Sequence, residues 1–247
     1  MTKREIIFSG AVAENYDLWF ATPAGRYAGE RENELLLRFV RIPNRGMLLD
    51  VGCGTGIHLA LFSRHGLANG VGIDISMEML QIAKRKPELR MCSFVVADAT
   101  MLPFRDGAFE EVVSITALEF VNQKLKALQE MMRVGQTHIL LAVLNSLSLS
   151  SMLRKIRAWF RGDLFSKATF LSPYALKRLL RNVSPSLRIR WRTVLLLFPL
   201  YVRFLQGFFK HVDRIATALC LPFGAFVVLE AMACKPEADQ PNSPSDR

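Results

Sequence analysis

Three glycines at alternate positions, Gly52, Gly54 and Gly56, separate an apolar run from a stretch of helical periodicity, and three acids, Asp50, Asp74 and Asp98, lie in or directly after short apolar runs. Glycines so spaced allow positive φ and remove the Cβ atoms that hold a ligand away from the main chain. A flat or anionic cofactor can then rest against the backbone. Carboxylates nearby accept hydrogen bonds from hydroxyl and amino groups, so the set suits a nucleoside. Asp74 would accept both ribose hydroxyls, and Asp98 the adenine amino group.

The elements that must carry these groups follow from the hydrophobic pattern. Residues 47–51 form a short apolar strand that feeds the glycines, and helical periodicity begins around Leu59. Residues 70–74 read as a second strand ending in Asp74, 93–97 as a third followed by Asp98, and 111–115 as a fourth. Ser76 can cap a helix that ends before Pro87. Open α/β sheets bind ligands beyond the carboxyl ends of their strands, so three strand tips converge on one nucleoside. The tip 116–121, Thr116 to Val121, falls where a donor and a second substrate would meet.

Gly56 is followed by Ile57, His58 and Leu59, which departs from GxGxxG, and no GKS or GKT occurs. Phosphate binding is disfavoured. The run Asp50-Val51-Gly52-Cys53-Gly54-Thr55-Gly56, the acid Asp74, and the segment Ala97-Asp98-Ala99-Thr100-Met101-Leu102-Pro103-Phe104 together resemble the class I S-adenosylmethionine-dependent methyltransferases, in particular the type 11 group with the quinone-biosynthesis C-methyltransferases. The resemblance is specific over 47–121 and loose beyond. It implies a Rossmann-like α/β fold with a seven-stranded, mostly parallel sheet, an antiparallel last strand and helices on both faces. It implies S-adenosyl-L-methionine as cofactor, held by Tyr16, Asp50, Gly52, Cys53, Gly54, Gly56, Asp74, Ile75, Asp98, Ala99 and Thr116. Ile75 would lie against the adenine, and a segment with Tyr16, Trp19 and Phe20 would close over the site. An aromatic cluster capping the core is the other reading of that segment.

Two departures from the family pattern stand out. Glu119 occupies a region where many relatives carry histidine; it is the carboxylate best placed to act as a catalytic base. His58, in the first helical turn, reads as a packing residue. The turn Arg133-Val134-Gly135-Gln136 is shorter than in relatives, at the end of the sheet opposite the ligand site.

The chain has 247 residues, 51% of them hydrophobic and 22% charged, as in an ordinary globular enzyme. We expect one domain over 1–235, with a cofactor core at 46–145, a substrate-side region at 146–235, and a disordered tail at 236–247. The four cysteines lie far apart without CxxC, which indicates neither zinc nor a disulfide framework. No signal-peptide core follows the start, so a cytoplasmic location is expected.

The net charge of +10 is concentrated: residues 150–214 hold ten arginines and four lysines against Asp163 and Asp213. Nucleic acid, anionic lipid and an acidic substrate are all partners of such a surface, yet no RNA-binding signature accompanies it. Residues 152–160 read as a helix, Ser172 caps another with Pro173 at its first position, and 187–192 alternates as a half-exposed strand. The Leu- and Phe-rich segment 198–209 would line a hydrophobic pocket or rest peripherally on a membrane. The last apolar segment, broken at Pro222 and Gly224, ends in a closing strand around 226–229. The expected activity is in-line methyl transfer to a small, hydrophobic metabolite without a metal. A non-catalytic S-adenosylmethionine-binding partner protein and an RNA methyltransferase are the alternatives.

Overall fold

The computed structural model describes residues 8, 10–44, 46–153, 168–200 and 203–233. Seven strands form one sheet: β1 (Leu48–Val51), β2 (Gly70–Asp74), β3 (Ser93–Val96), β4 (Phe109–Ile115), β5 (Gly135–Leu144), β6 (Arg188–Val194) and β7 (Phe226–Met232). Their order is β3-β2-β1-β4-β5-β7-β6. All pairs among the first five are parallel, whereas β7 runs antiparallel to both neighbours. The order reverses at β1, between β2 and β4. That reversal opens a crevice at the carboxyl ends of the strands, which is where such sheets hold ligands.

The sheet is a partition between two cores because strand side chains alternate. Leu48 of β1, with Phe226 and Val228 of β7, packs on one face with Leu36, Phe39, Leu59 and Phe62. These belong to α3 (Pro23–Phe39) and α4 (Ile57–Arg64), with α5 (Met77–Lys84) and α8 (Gln206–Ala218) on the same face. Leu49 and Val51 face the opposite way, among Leu128 and Met131 of α6 (Lys124–Val134) and Leu176 and Leu180 of α7 (Pro173–Val183). Each fully buried leucine here is worth about 1.5–3 kcal/mol. Two short helices, α1 (Ala11–Asn15) and α2 (Leu18–Ala21), precede α3.

The helix starts follow their capping residues. Ser76 accepts from Met79 N at 3.3 Å and Ser172 from Ala175 N at 3.1 Å, with Pro173 opening α7. Between α6 and β5 no connecting loop remains, since α6 ends at Val134 and β5 starts at Gly135. Arg133 secures this junction by donating to the carbonyls of Leu102 and Phe104 at 3.0 and 2.8 Å. The segment after Asp98 is thereby tied to α6.

Within 198–209, single 3-10 turns cover Phe198–Leu200 and Arg203–Leu205, and α8 begins at Gln206. Asp213 anchors α8, accepting from Tyr27 Oη at 3.0 Å and Leu196 N at 2.9 Å. The last apolar segment splits between α8 and β7, and no helix among the described residues is long and apolar enough to cross a membrane. A helical turn opens at 149; the remainder of the expected 152–160 helix, beyond 153, and the 236–247 tail lie outside the described residues.

Candidate functional site

The glycine turn is held where β1 and β2 end. Gly52 and Cys53 both donate backbone N–H groups to Ile73 O, at 2.8 and 2.9 Å. Gly54 has φ +53°, and a Cβ there would meet nothing within 4 Å. This open space is the wall of a cleft of about 930 Å³. Gly52 has φ +78° for another reason: a Cβ would come within 2.3 Å of Ala117 Cβ, so glycine lets the β4 tip approach.

Asp74 closes the turn from the β2 tip. Its Oδ2 accepts from Gly54 N at 2.9 Å and its Oδ1 from Ser76 N at 2.8 Å. Burial raises its pKa, and those backbone donors oppose the rise. Each carboxylate oxygen has a second lone pair, which leaves acceptor capacity toward the cleft. Asp98, at the β3 tip, also lines the cleft and accepts from Thr100 N and Oγ1, both at 2.8 Å. Cys53, Ile75, Ala99 and Thr116 line it too.

Two other expected cofactor residues do not reach the cleft. Gly56 packs instead, since a Cβ there would sit 2.6 Å from Leu89 Cδ1. Asp50 lies within the wall, 1% exposed, and neither of its oxygens has a hydrogen-bond partner. Burial, reinforced by the charge of Asp74, pushes its pKa up to about 8.

A second, apolar cleft of about 1200 Å³ adjoins the first, lined among others by Trp19, Phe20, Leu195 and Phe198. The segment that carries Tyr16, Trp19 and Phe20, together with Phe8, lines the clefts. Aromatic edges hold it in place, with Phe8 against Phe120 at 4.9 Å and Trp19 against Phe20 at 4.8 Å. Polar contacts pin it to the cofactor core: Thr55 Oγ1 donates to Asp17 at 2.6 Å, Lys86 pairs with Asp17 at 2.7 Å, and Ser76 Oγ donates to Phe8 O at 2.7 Å.

Five residues line both clefts: Phe8, Tyr16, His58, Thr116 and Phe120. Thr116 has φ +51°, an uncommon conformation for a β-branched residue, of the kind that clusters at functional sites. Its side chain is hydrogen-bonded to Tyr16, whose pKa burial raises to about 12, so the phenol is neutral. Burial, with the nearby charge of Lys86, lowers His58 to about 4, so its imidazole is neutral at physiological pH. Glu119 lines neither cleft. Its Oε1 accepts from Leu144 N at 2.6 Å, its Oε2 has no partner, and burial raises its pKa to about 7.

The sequence reading placed the tip that contains Phe120 at the meeting point but missed Phe8 and His58 as wall residues. His58 offered one signal, its position two residues beyond the last glycine of the turn. Phe8 offered none, because its contribution depends on how the first segment folds back.

The first cleft fits S-adenosylmethionine. Among the described residues no lysine or arginine lines it, whereas Asp74 and Asp98 do. Such a site opposes a pyrophosphate and favours a cationic nucleoside. The open face at Gly54 admits one against the backbone.

Residues 49–141 match the family described as a methyltransferase domain. Demethylmenaquinone methyltransferase from Renibacterium salmoninarum is 41% identical over 88 residues, covering 35% of this chain and 35% of the relative. Ajmaline N-methyltransferase from Rauvolfia serpentina is 34% identical over 168 residues, covering 58% of this chain and 57% of the relative. The chain thus spans between about a third and just over half the length of these curated relatives. A solved structure from Thermotoga maritima, described as a SAM-dependent methyltransferase and possible histamine N-methyltransferase, superposes with a TM-score of 0.71 at 19% identity, covering 93% of this chain and 99% of that one. That likeness is one of fold. Residues 49–141 of this chain thus match a methyltransferase domain, and S-adenosylmethionine is the cofactor that the first cleft fits.

Proposed function

We propose that the protein is an S-adenosylmethionine-dependent methyltransferase whose acceptor is a small, largely apolar metabolite bound in the second cleft. The observation that carries this reading is the wall common to both clefts, Phe8, Tyr16, His58, Thr116 and Phe120. A donor in the first cleft and an acceptor in the second would meet there. The demethylmenaquinone and ajmaline methyltransferases among the relatives support a small-molecule acceptor.

S-adenosylmethionine supplies a methyl group on a sulfonium, which leaves as a neutral thioether. The protein's part is therefore alignment and exclusion of water rather than activation of a leaving group. Asp74 and Asp98 fix the nucleoside, and Gly54 lets it lie on the backbone. The aromatic residues from Phe8 to Phe20, pinned through Asp17 and Ser76, close the junction to water. His58 presents a neutral imidazole to both clefts and accepts a hydrogen bond from an acceptor hydroxyl or amine. Glu119 is a positioning residue, holding the tip that carries Thr116 and Phe120 against Leu144.

Incubation of the purified protein with a donor carrying a labelled methyl group, and with separate hydrophobic-metabolite, polar-metabolite and RNA fractions, tests the proposal. Label should enter the hydrophobic fraction. Label in RNA or polar metabolites alone would refute it, and tight donor binding without transfer to any fraction would indicate a binding protein.

A further inference from the structure

The outer side of α8 exposes large apolar side chains beside His211 and Arg214. Phe209, Asp213, Ala216 and Thr217 face inward. Phe208 and Ile215, with Phe204 in the preceding turn and Leu219 just after the helix, fall on the opposite side at helical spacing. Their exposures are 56%, 49%, 83% and 66% respectively. At 100° per residue these four side chains occupy one narrow stripe.

Along one edge of that stripe runs a cationic groove of about 840 Å³, lined by Arg38 of α3, Arg190 and Arg192 of β6, and Arg214 of α8. Arg190 is engaged by Glu230 at 2.5 Å, and Arg192 donates to Trp191 O at 2.8 Å. Among the described residues, Arg38 and Arg214 have no carboxylate partner. Arg38 and Arg214, beside Arg192 and the Glu230-paired Arg190, suit a phosphate, which guanidinium groups bind through paired N–H donors.

We infer that the outer stripe of α8 and the four-arginine groove form one docking surface for an anionic phospholipid bilayer. A bilayer presents phosphate at its surface and acyl chains a few ångströms below, matching a helix that lies in the interface with a basic edge. Nucleic acid matches the arginines but offers little to Ile215 and Leu219, which are aliphatic and cannot stack on bases. A second copy packed symmetrically on this face would bring both arginine sets toward one another. The inference does not depend on the methyl-transfer reading. The two meet at Phe198, which lines the apolar cleft a few residues before Phe204.

The test is flotation of the full chain with vesicles of phosphatidylcholine alone and of phosphatidylcholine mixed with phosphatidylglycerol, at low and high salt. The protein should partition onto the mixed vesicles and release at high salt. Arg38→Ala with Arg214→Ala should weaken partition by about 25-fold, about fivefold for each arginine. Phe208→Ser with Ile215→Ser should weaken it by about tenfold or more. None of these residues lines the donor cleft, so donor affinity and melting temperature serve as folding controls for both variants. Equal partition onto neutral vesicles, or arginine variants that bind like wild type, would overturn the inference. Release by inorganic phosphate at constant ionic strength would indicate a free-phosphate site instead. RNA binding insensitive to Phe208→Ser and Ile215→Ser would assign the surface to nucleic acid, and a dimer dissociated by those substitutions would assign it to a second copy.

Discussion

Both ends of the sheet contain buried acids, but they are treated differently. At the amino end, His138 of β5 stands between two carboxylates, its Nδ1 2.5 Å from Glu111 Oε2 and its Nε2 3.1 Å from Glu230 Oε2. Of the other oxygens, Glu111 Oε1 accepts from Arg41 N at 3.3 Å, and Glu230 Oε1 has no hydrogen bond but lies 2.5 Å from Arg190 Nε as an ion pair. At the carboxyl end, Asp50 is equally buried with both oxygens unpartnered, and Glu119 keeps one oxygen unpartnered. A buried polar group left unpaired costs free energy, so an acid that the fold merely needs is neutralised by the fold. Asp50, with neither a hydrogen bond nor an ion pair, lies behind the cleft that Asp74 and Asp98 line.

The largest expected effect breaks the amino end. His138→Leu strands Glu111 and Glu230 in the core and should cost about 3–5 kcal/mol of stability in urea unfolding, because removing one member of a buried charge cluster is strongly destabilising. Donor affinity of the folded protein should remain at the wild-type value. Gly54→Val acts at the carboxyl end in the reverse sense. The φ of +53° and the empty space around it mean that the new side chain strains one residue, by about 1–2 kcal/mol, and projects toward the cleft. Calorimetry should find donor affinity reduced about a hundredfold or more, since strain and steric exclusion combine, while the melting temperature falls by only a few degrees.

A pH dependence at Asp50 sharpens the same comparison. Its folded pKa, about 8, lies above the ordinary 3.8, so the folded state favours the protonated acid. Its stabilising contribution is complete below the unfolded pKa and is lost as pH rises through the folded value. Asp50→Asn, neutral throughout, should therefore gain stability relative to wild type progressively as pH rises from about 4 to about 8. Thermal melts of the ligand-free proteins across that range check the sign. A constant difference would place the Asp50 effect in packing rather than charge.

How much of this was legible in the sequence depended on distance along the chain. The strand, glycine turn and helix around Gly54, the acid Asp74 and the caps Ser76 and Ser172 are local features, and local pattern located them. The shortened turn after Arg133 was visible too, although not that α6 would pass into β5 without a loop. Direction within an element was harder to read. Asp50 and Gly56 belong to the glycine pattern yet do not line the cleft, and Glu119 at the β4 tip bonds to Leu144. Long-range encounters were illegible: His138 meets a carboxylate 92 residues away, and the wall common to both clefts joins Phe8 to Phe120. Alternation did place the β6 arginines on one face, but not opposite Arg38 and Arg214.

The central claim is that Asp74 and the glycine turn hold S-adenosylmethionine. Calorimetric titration of S-adenosylmethionine and S-adenosylhomocysteine into wild type and Asp74→Ala tests it most directly. Loss of two charge-assisted hydrogen bonds predicts micromolar binding by wild type and a fall of about a hundredfold or more in the variant. Absence of binding by wild type, or equal affinity in the folded variant, would contradict the account.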